Sequence, residues 1–272
     1  MARRFNFIPD SPCGFGHGSS MGKAEGRPGS LIITYPTHPA FLWGYLFIGL
    51  AVALLFSRFP LLIARSSQAP LALPLSTIAV LLIVLSPPLS FVNVVLATVR
   101  TGEIVTTLGI DYVEFFGVPI PIPRVRTMEL STIVAINVGG ALVPISASAI
   151  LAYLVISSAY RGPFMLALLA DVIITSVVVY LLARPIAGVG IVVPAFIAPL
   201  VAAFVASLTA GFGVAGAAAA YIGGSIGSLL GADVFRLSRS IRQLRAPLLS
   251  IGGAGVFDGV FLSGVLAFVL AL

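Results

Sequence analysis

The chain has 272 residues, of which 59% are hydrophobic and only 9% charged, with a mean hydropathy of +1.13. A soluble domain carries about 25% charged residues, so this composition excludes a soluble enzyme, a disordered protein and a nucleic-acid-binding domain. A polytopic membrane protein remains, and the net charge of +6 then speaks of topology, not of nucleic acid. The single cysteine, Cys13, rules out an intrachain disulfide and any multi-cysteine metal site. Both histidines, His17 and His38, precede the first apolar run, so neither a Ser–His intramembrane protease nor an HExxH metalloprotease can be built in the membrane region. No haem or other cofactor is expected.

Residues 1–39 hold many Gly, Ser and Pro without apolar periodicity and read as a disordered cytoplasmic tail, with Met21 offering a second start. The remainder, 40–272, reads as a transmembrane domain. A spanning helix needs about 20 apolar residues, and seven runs qualify: 41–56, 71–86, 131–156, 163–183, 190–210, 214–230 and 247–272. Pro87-Pro88 is expected to break the second, and 89–99 to continue it after a kink or lie at the interface. The fold class expected is therefore all-α, with about seven transmembrane helices.

An extramembrane insertion, 100–126, separates the second and third runs. Its β-prone pieces Glu103–Leu108 and Tyr112–Phe116 flank Gly109-Ile-Asp111 and predict a small hairpin, followed by an extended stretch at Pro119, Pro121 and Pro123. With the N-terminus inside, 12 basic residues fall on the inner side and 3 (Arg58, Arg65 and Arg161) on the outer, which orients the chain by the positive-inside rule. This predicts a multi-pass protein of the plasma membrane with a cytoplasmic N-terminus. Gly140-Ala-Leu-Val-Pro144 and Gly190-Ile-Val-Val-Pro194 suggest a weak internal repeat.

Ionisable groups inside a bilayer are costly and mark function. Asp171 and Asp258 fall within spans, both near mid-depth at about 1.5 Å of rise per residue. Asp233 lies at the inner end of the sixth run, a secondary candidate whose simplest role is a surface partner of Arg236 or Arg239. Gly252, Gly253, Gly255 and Gly259 crowd Asp258, and such a segment can unwind and offer backbone groups to a ligand. Asn137 can bond an opposing helix or a ligand. Gly223, Gly227 and Gly231 form a small-residue ridge for helix packing, which also suits a homo-oligomer.

Four stretches carry a family resemblance: Ala135-Ile-Asn-Val-Gly-Gly-Ala-Leu-Val-Pro144, Leu182-Ala-Arg-Pro185 with Gly188-Val-Gly-Ile-Val-Val-Pro194, Gly231-Ala-Asp233, and Ser250-Ile-Gly-Gly-Ala-Gly-Val-Phe-Asp-Gly-Val-Phe-Leu262. Over roughly 40–270 the chain resembles a family of uncharacterised prokaryotic membrane proteins, the domain of unknown function numbered 1614. That resemblance implies a multi-span membrane protein and no particular activity.

Three functions compete. A secondary transporter or ion/proton-coupled permease would bind a small ion or small-molecule substrate at Asp258 with Asp171 or Asn137. An intramembrane aspartyl protease would pair Asp258 with Asp171 or Asp233. The chain loosely resembles presenilin-like proteases, but Leu230 and Ala232 occupy both glycine positions of their GxGD motif. A non-catalytic assembly protein would use the glycine ridges alone.

Overall fold

The computed structural model describes residues 27–34, 39–115, 118–188, 190–244, 246–253 and 259–272. The chain is mostly helical. Five helical stretches are long and apolar enough to cross a membrane: Phe47–Arg65, Ala72–Leu89, Val138–Ile156, Arg161–Leu182 and Val214–Ile241. The first joins α1 (Pro39–Phe56) to α2 (Phe59–Ser66), and the second is α3 (Ala72–Leu89). The third begins as a π-helical turn, Val138–Leu142, and continues as α4 (Val143–Ile156). The fourth is α5 (Arg161–Leu182). The last runs from α7 (Val214–Ser228) through a second π-helical segment, Leu229–Arg236, into α8 (Leu237–Leu244).

Two further apolar helices are short. α6 (Ile197–Ala210) has 14 residues and α9 (Gly259–Ala271) has 13. At about 1.5 Å per residue these cover roughly 20 Å of a hydrocarbon core about 30 Å thick. The spans expected at 190–210 and 247–272 are corrected accordingly, because each begins as strand. β4 (Arg184–Ile186) pairs antiparallel with β5 (Gly190–Val192), which precedes α6, and β6 (Leu248–Ile251) precedes α9.

The all-α expectation is corrected too. A four-stranded sheet has the order β1-β2-β3-β6, with β1 (Leu31–Ile33), β2 (Val92–Phe115) and β3 (Val118–Asn137) antiparallel and β6 parallel to β3. Leu31–Ile33 lies within the stretch read as a tail. The run 89–99 is neither a continued helix nor an interfacial one, since β2 takes over at Val92. Its residues Val92, Val94, Val95, Thr98 and Val99 are β-branched and favour the pleated surface. For the same reason the expected span 131–156 starts as strand through Asn137. The expected Gly109–Asp111 turn is mid-strand, opposite Arg124, Pro123 and Ile122, and the ladder closes at Phe115 opposite Val118. Pro119, Pro121 and Pro123 lack donors on one side of β3 only, and this part of β3 has β2 as its sole neighbour among the described residues, as edge proline requires. Gly140–Leu142 is π-helical while Gly190–Val192 is strand, so the proposed repeat adopts two different structures.

The strands gather at one end of the helices. There the Ser86 hydroxyl donates to Gly139 O at 2.6 Å, and Gly188 N to Leu244 O at 2.7 Å. At the opposite end Gln68 N donates to Ser157 O at 2.8 Å and Gly213 N to Ala271 O at 3.2 Å. α7 is the central helix: 83% of its apolar window is buried, against 22–56% for the other four. Its run of alanines and glycines lets neighbours approach on every side. Phe56, Phe59 and Phe268 close the core near the far end, with Phe56 and Phe268 stacked at 4.2 Å. Outward faces carry exposed large apolar side chains such as Trp43, Leu81, Leu166, Ile173, Phe204 and Leu208. Such a surface suits hydrocarbon, not water.

Candidate functional site

Two helices in register build the first polar feature. α5 presents Asp171, Thr175 and Val179 at four-residue spacing, and α7 with its π extension presents Gly223, Gly227 and Gly231 opposite them. A Cβ at 223 would overlap the Asp171 carboxyl group, and one at 227 would lie 2.8 Å from Thr175 Cβ. The expected packing ridge is thus real, and its partner is α5. The companion face, at Gly224, meets Ser263 and Ala267 of α9. Asp171 is fully buried there. Its Oδ1 accepts from the Thr175 hydroxyl at 2.9 Å, and Oδ2 has no partner.

Asn137 sits at the last residue of β3 and caps the first π turn. Its Oδ1 accepts from Gly140 N at 2.6 Å, while its amide donates to Ser90 O at 2.6 Å and to Asn93 Oδ1 at 3.0 Å. Asn93 Oδ1 also accepts from the Ser250 hydroxyl at 2.6 Å. Both Asn137 amide protons are therefore committed inside the protein, in a network joining β2, β3 and β6.

β6 ends in a non-helical turn. Gly252 and Gly253 have φ of +84° and +69°, a region that favours glycine. A Cβ at 252 would meet Ala141 Cβ at 2.7 Å, so Gly252 packs directly on the first π turn. Its N–H donates to Asp233 Oδ2 at 2.6 Å. Asp233 thus reaches across the fold to a backbone amide freed by the turn, and Arg239 instead donates to the Tyr180 hydroxyl. Asp233 lies in the second π segment. Single π turns inside α-helices recur at functional sites, because the extra residue re-aims the side chains around it.

Asp233 also lines a pocket of about 220 Å³. One wall is Ile191–Pro194 and Ala195, leading into Ala198 of α6; the other is Ser228, Ala232, Gly259, Val260 and Ser263. Both short helices begin here. Ser228 is 4% exposed and its hydroxyl has no hydrogen-bond partner among the described residues, so the pocket holds a polar group beside the carboxylate that no described group engages. At about 1.5 Å per residue, ten residues of helix separate Gly223, beside Asp171, from Asp233, or roughly 15 Å.

Of the residues singled out in the sequence, Asp233, Gly252 and Gly253 come together, and Asn137 is tied to them through Ser250 and the π turn. Asp171 stands apart, between α5 and α7. Asp258 and Gly255 lie outside the described residues, and with them both carboxylate pairs considered for proteolysis. Ser228 and Ser263 were missed. A lone serine in an apolar run carries no mark of its own; only its position one residue before the π segment could have drawn attention. Among the described residues no three of His, Cys, Asp or Glu cluster as metal ligands would.

A family model described as "Protein of unknown function (DUF1614)" matches residues 88–270, and the chain belongs to that family. The match begins at the end of α3, later than the resemblance over 40–270 suggested. No curated protein and no solved structure matches the chain.

Proposed function

We propose that this protein is a secondary permease that carries a small ion or small solute, bound at the pocket formed by Asp233, Ser228 and Ser263. The observation that carries this reading is the meeting of two short apolar helices, α6 and α9, each about two-thirds of a full crossing in length, at one pocket with a carboxylate in it. Extended backbone at membrane depth is tolerated only where it is buried in protein or lines a cavity. Transporters use such interrupted helices to offer backbone groups and a positive helix end to the cargo. The Asp233 carboxylate suits a cationic centre or a proton, and the Ser228 hydroxyl supplies a neutral ligand.

In this reading the protein is a multi-pass protein of the plasma membrane with its N-terminus in the cytoplasm, supported by the 12-to-3 division of basic residues. The sheet and hairpin would then face the cytoplasm.

The test is flux into proteoliposomes, measured for protons, sodium, potassium and a panel of small cationic and zwitterionic solutes. Wild-type protein is expected to exceed protein-free liposomes for at least one of them. Losing a charged hydrogen-bond partner of the cargo lowers affinity about tenfold or more, so Asp233→Asn should reduce that flux by a similar factor. Background-level flux across the whole panel, or equal flux from the Asp233→Asn variant, overturns the proposal.

A further inference from the structure

A second site lies on the outside of the helices, at the end where the strands gather. Tyr180 is near the last turn of α5, Arg236 ends the second π segment, and Arg239 is in the first turn of α8. Both guanidinium groups converge on the one tyrosine: Arg236 lies 5.5 Å and Arg239 5.2 Å from the ring centroid, and Arg239 also donates to the phenol oxygen. Two like charges brought onto one ring repel unless an anion joins them. Their partners among the described residues are a phenol and its ring, and the buried Arg236 Nε has no acceptor. Asp233, close by in sequence, accepts from Gly252 N and makes no ion pair with either arginine among the described residues.

Beneath these cations runs a groove of about 220 Å³ lined by Ser176, Val177, Tyr180, Phe235 and Arg239. Val177 and Phe235 are half exposed and apolar. A soluble anion has no use for that apolar floor, whereas an acyl chain does. A zwitterionic headgroup would add a cation to two cations already unpaired. We propose that this groove binds an anionic phospholipid, with its phosphodiester held by Arg236 and Arg239 and its acyl chain laid along Val177 and Phe235. Guanidinium groups bind phosphate through parallel N–H bonds, and basic pockets beside membrane helices recognise anionic headgroups. The position fits: Tyr180 is in the last turn of α5 and the arginines are within five residues of the end of the Val214–Ile241 stretch, where lipid headgroups would meet these helices.

The experiment is native mass spectrometry of the full-length protein, delipidated in detergent and titrated with phosphatidylglycerol, phosphatidylcholine or inorganic phosphate. Phosphatidylglycerol is expected to bind about 30-fold tighter than phosphatidylcholine, the scale set by two interfacial arginines. The Arg236→Gln/Arg239→Gln double variant should lose that preference, and Arg239→Gln alone, at an exposed position, should lose part of it while keeping the wild-type melting temperature. Arg58→Gln/Arg161→Gln, at the opposite end, should retain it. Equal binding of the two lipids, or an unchanged preference in both arginine variants, overturns the proposal. Displacement of the lipid by inorganic phosphate at comparable concentration overturns it in favour of a free-phosphate site.

Discussion

The α5–α7 contact makes a sharp stability prediction at Gly223. Replacing it with alanine puts a methyl group into the space filled by the Asp171 carboxyl. Neither side can yield cheaply. Asp171 is fully buried and bonded to Thr175, and the two helices are also held in register by Gly227 against Thr175 and by Gly231, where a Cβ would lie 2.5 Å from Ser176 O. Overpacking of this kind costs about 1–3 kcal/mol. Losing the Asp171–Thr175 hydrogen bond adds about 1 kcal/mol, and the better helix propensity of alanine returns about 1 kcal/mol. The net is a loss of about 2 kcal/mol, or roughly 4–8 °C in melting temperature for a chain of this size. Scanning fluorimetry in detergent reads it directly. Gly162→Ala, on the partner helix α5 but with nothing within 4 Å of the added methyl, serves as the control and should not destabilise.

The decisive comparison is the double variant. Asp171→Ala removes the group that a Cβ at 223 would strike, so Asp171→Ala/Gly223→Ala should be more stable than the sum of the single effects by about 1–2 kcal/mol, the range of contacting pairs. If Gly223→Ala melts at the wild-type temperature, or the two changes add to within about 0.5 kcal/mol, the packing of Asp171 against α7 is refuted.

Three further predictions concern the rest of the fold. Asn137→Leu strands Ser90 O and Gly140 N without their side-chain partner and should cost about 2–4 kcal/mol, seen as a lower melting temperature and a reduced yield of folded protein. Gly252→Ala meets both a positive φ and Ala141 Cβ at 2.7 Å and should lower stability by about 2–3 kcal/mol; a melting temperature equal to wild type would contradict the packing of β6 on the π turn. In a Cys13→Ser background, Val113→Cys on the hairpin and Tyr160→Cys beside α5, both exposed positions, should label with an impermeant thiol reagent from opposite faces of the membrane.

What could be read from the sequence was set by apolar run length. α3, α5 and α7 announce themselves because their runs are long, although α3 runs through Pro87 and Pro88, where a break was expected, to Leu89. The sheet was under-read because a short apolar run such as 89–99 satisfies a buried helix and a strand equally, and only its β-branched content separates them. The Gly109–Asp111 turn failed because β pairing depends on what lies opposite, and the extended ribbon runs straight through it. Asp233 was read by its neighbours in sequence, Arg236 and Arg239. Its real partner, the Gly252 amide, is 19 residues away and reaches it only through the docking of β6 on β3. Asn137 was recognised as a polar group needing a partner, yet its partners, Ser90 and Asn93, became visible only with the strand register.

The position of the pocket follows from the two short helices. The second half of the chain twice uses the same order, a long helix, an extended piece and a short helix: α5, β5 and α6, then α7–α8, β6 and α9. Each short helix falls about 10 Å short of a full crossing, and the extended piece fills that end. β5 is paired on one edge by β4 and β6 on one edge by β3, which leaves the other edge of each without a strand partner among the described residues, and in hydrocarbon each unpaired backbone group costs several kcal/mol. Polar side chains must therefore collect where the short helices begin. Asp233 meets this need by accepting from Gly252 N. A carboxylate accepts up to four hydrogen bonds, and among the described residues the Gly252 amide is its one donor, which leaves capacity toward the pocket beside a Ser228 hydroxyl that no described group engages. Packing alone accounts for a small residue such as Ser228 but would place no carboxylate at 233, so the acceptor capacity of Asp233 at this point, more than the presence of a pocket, is what argues for a cargo there.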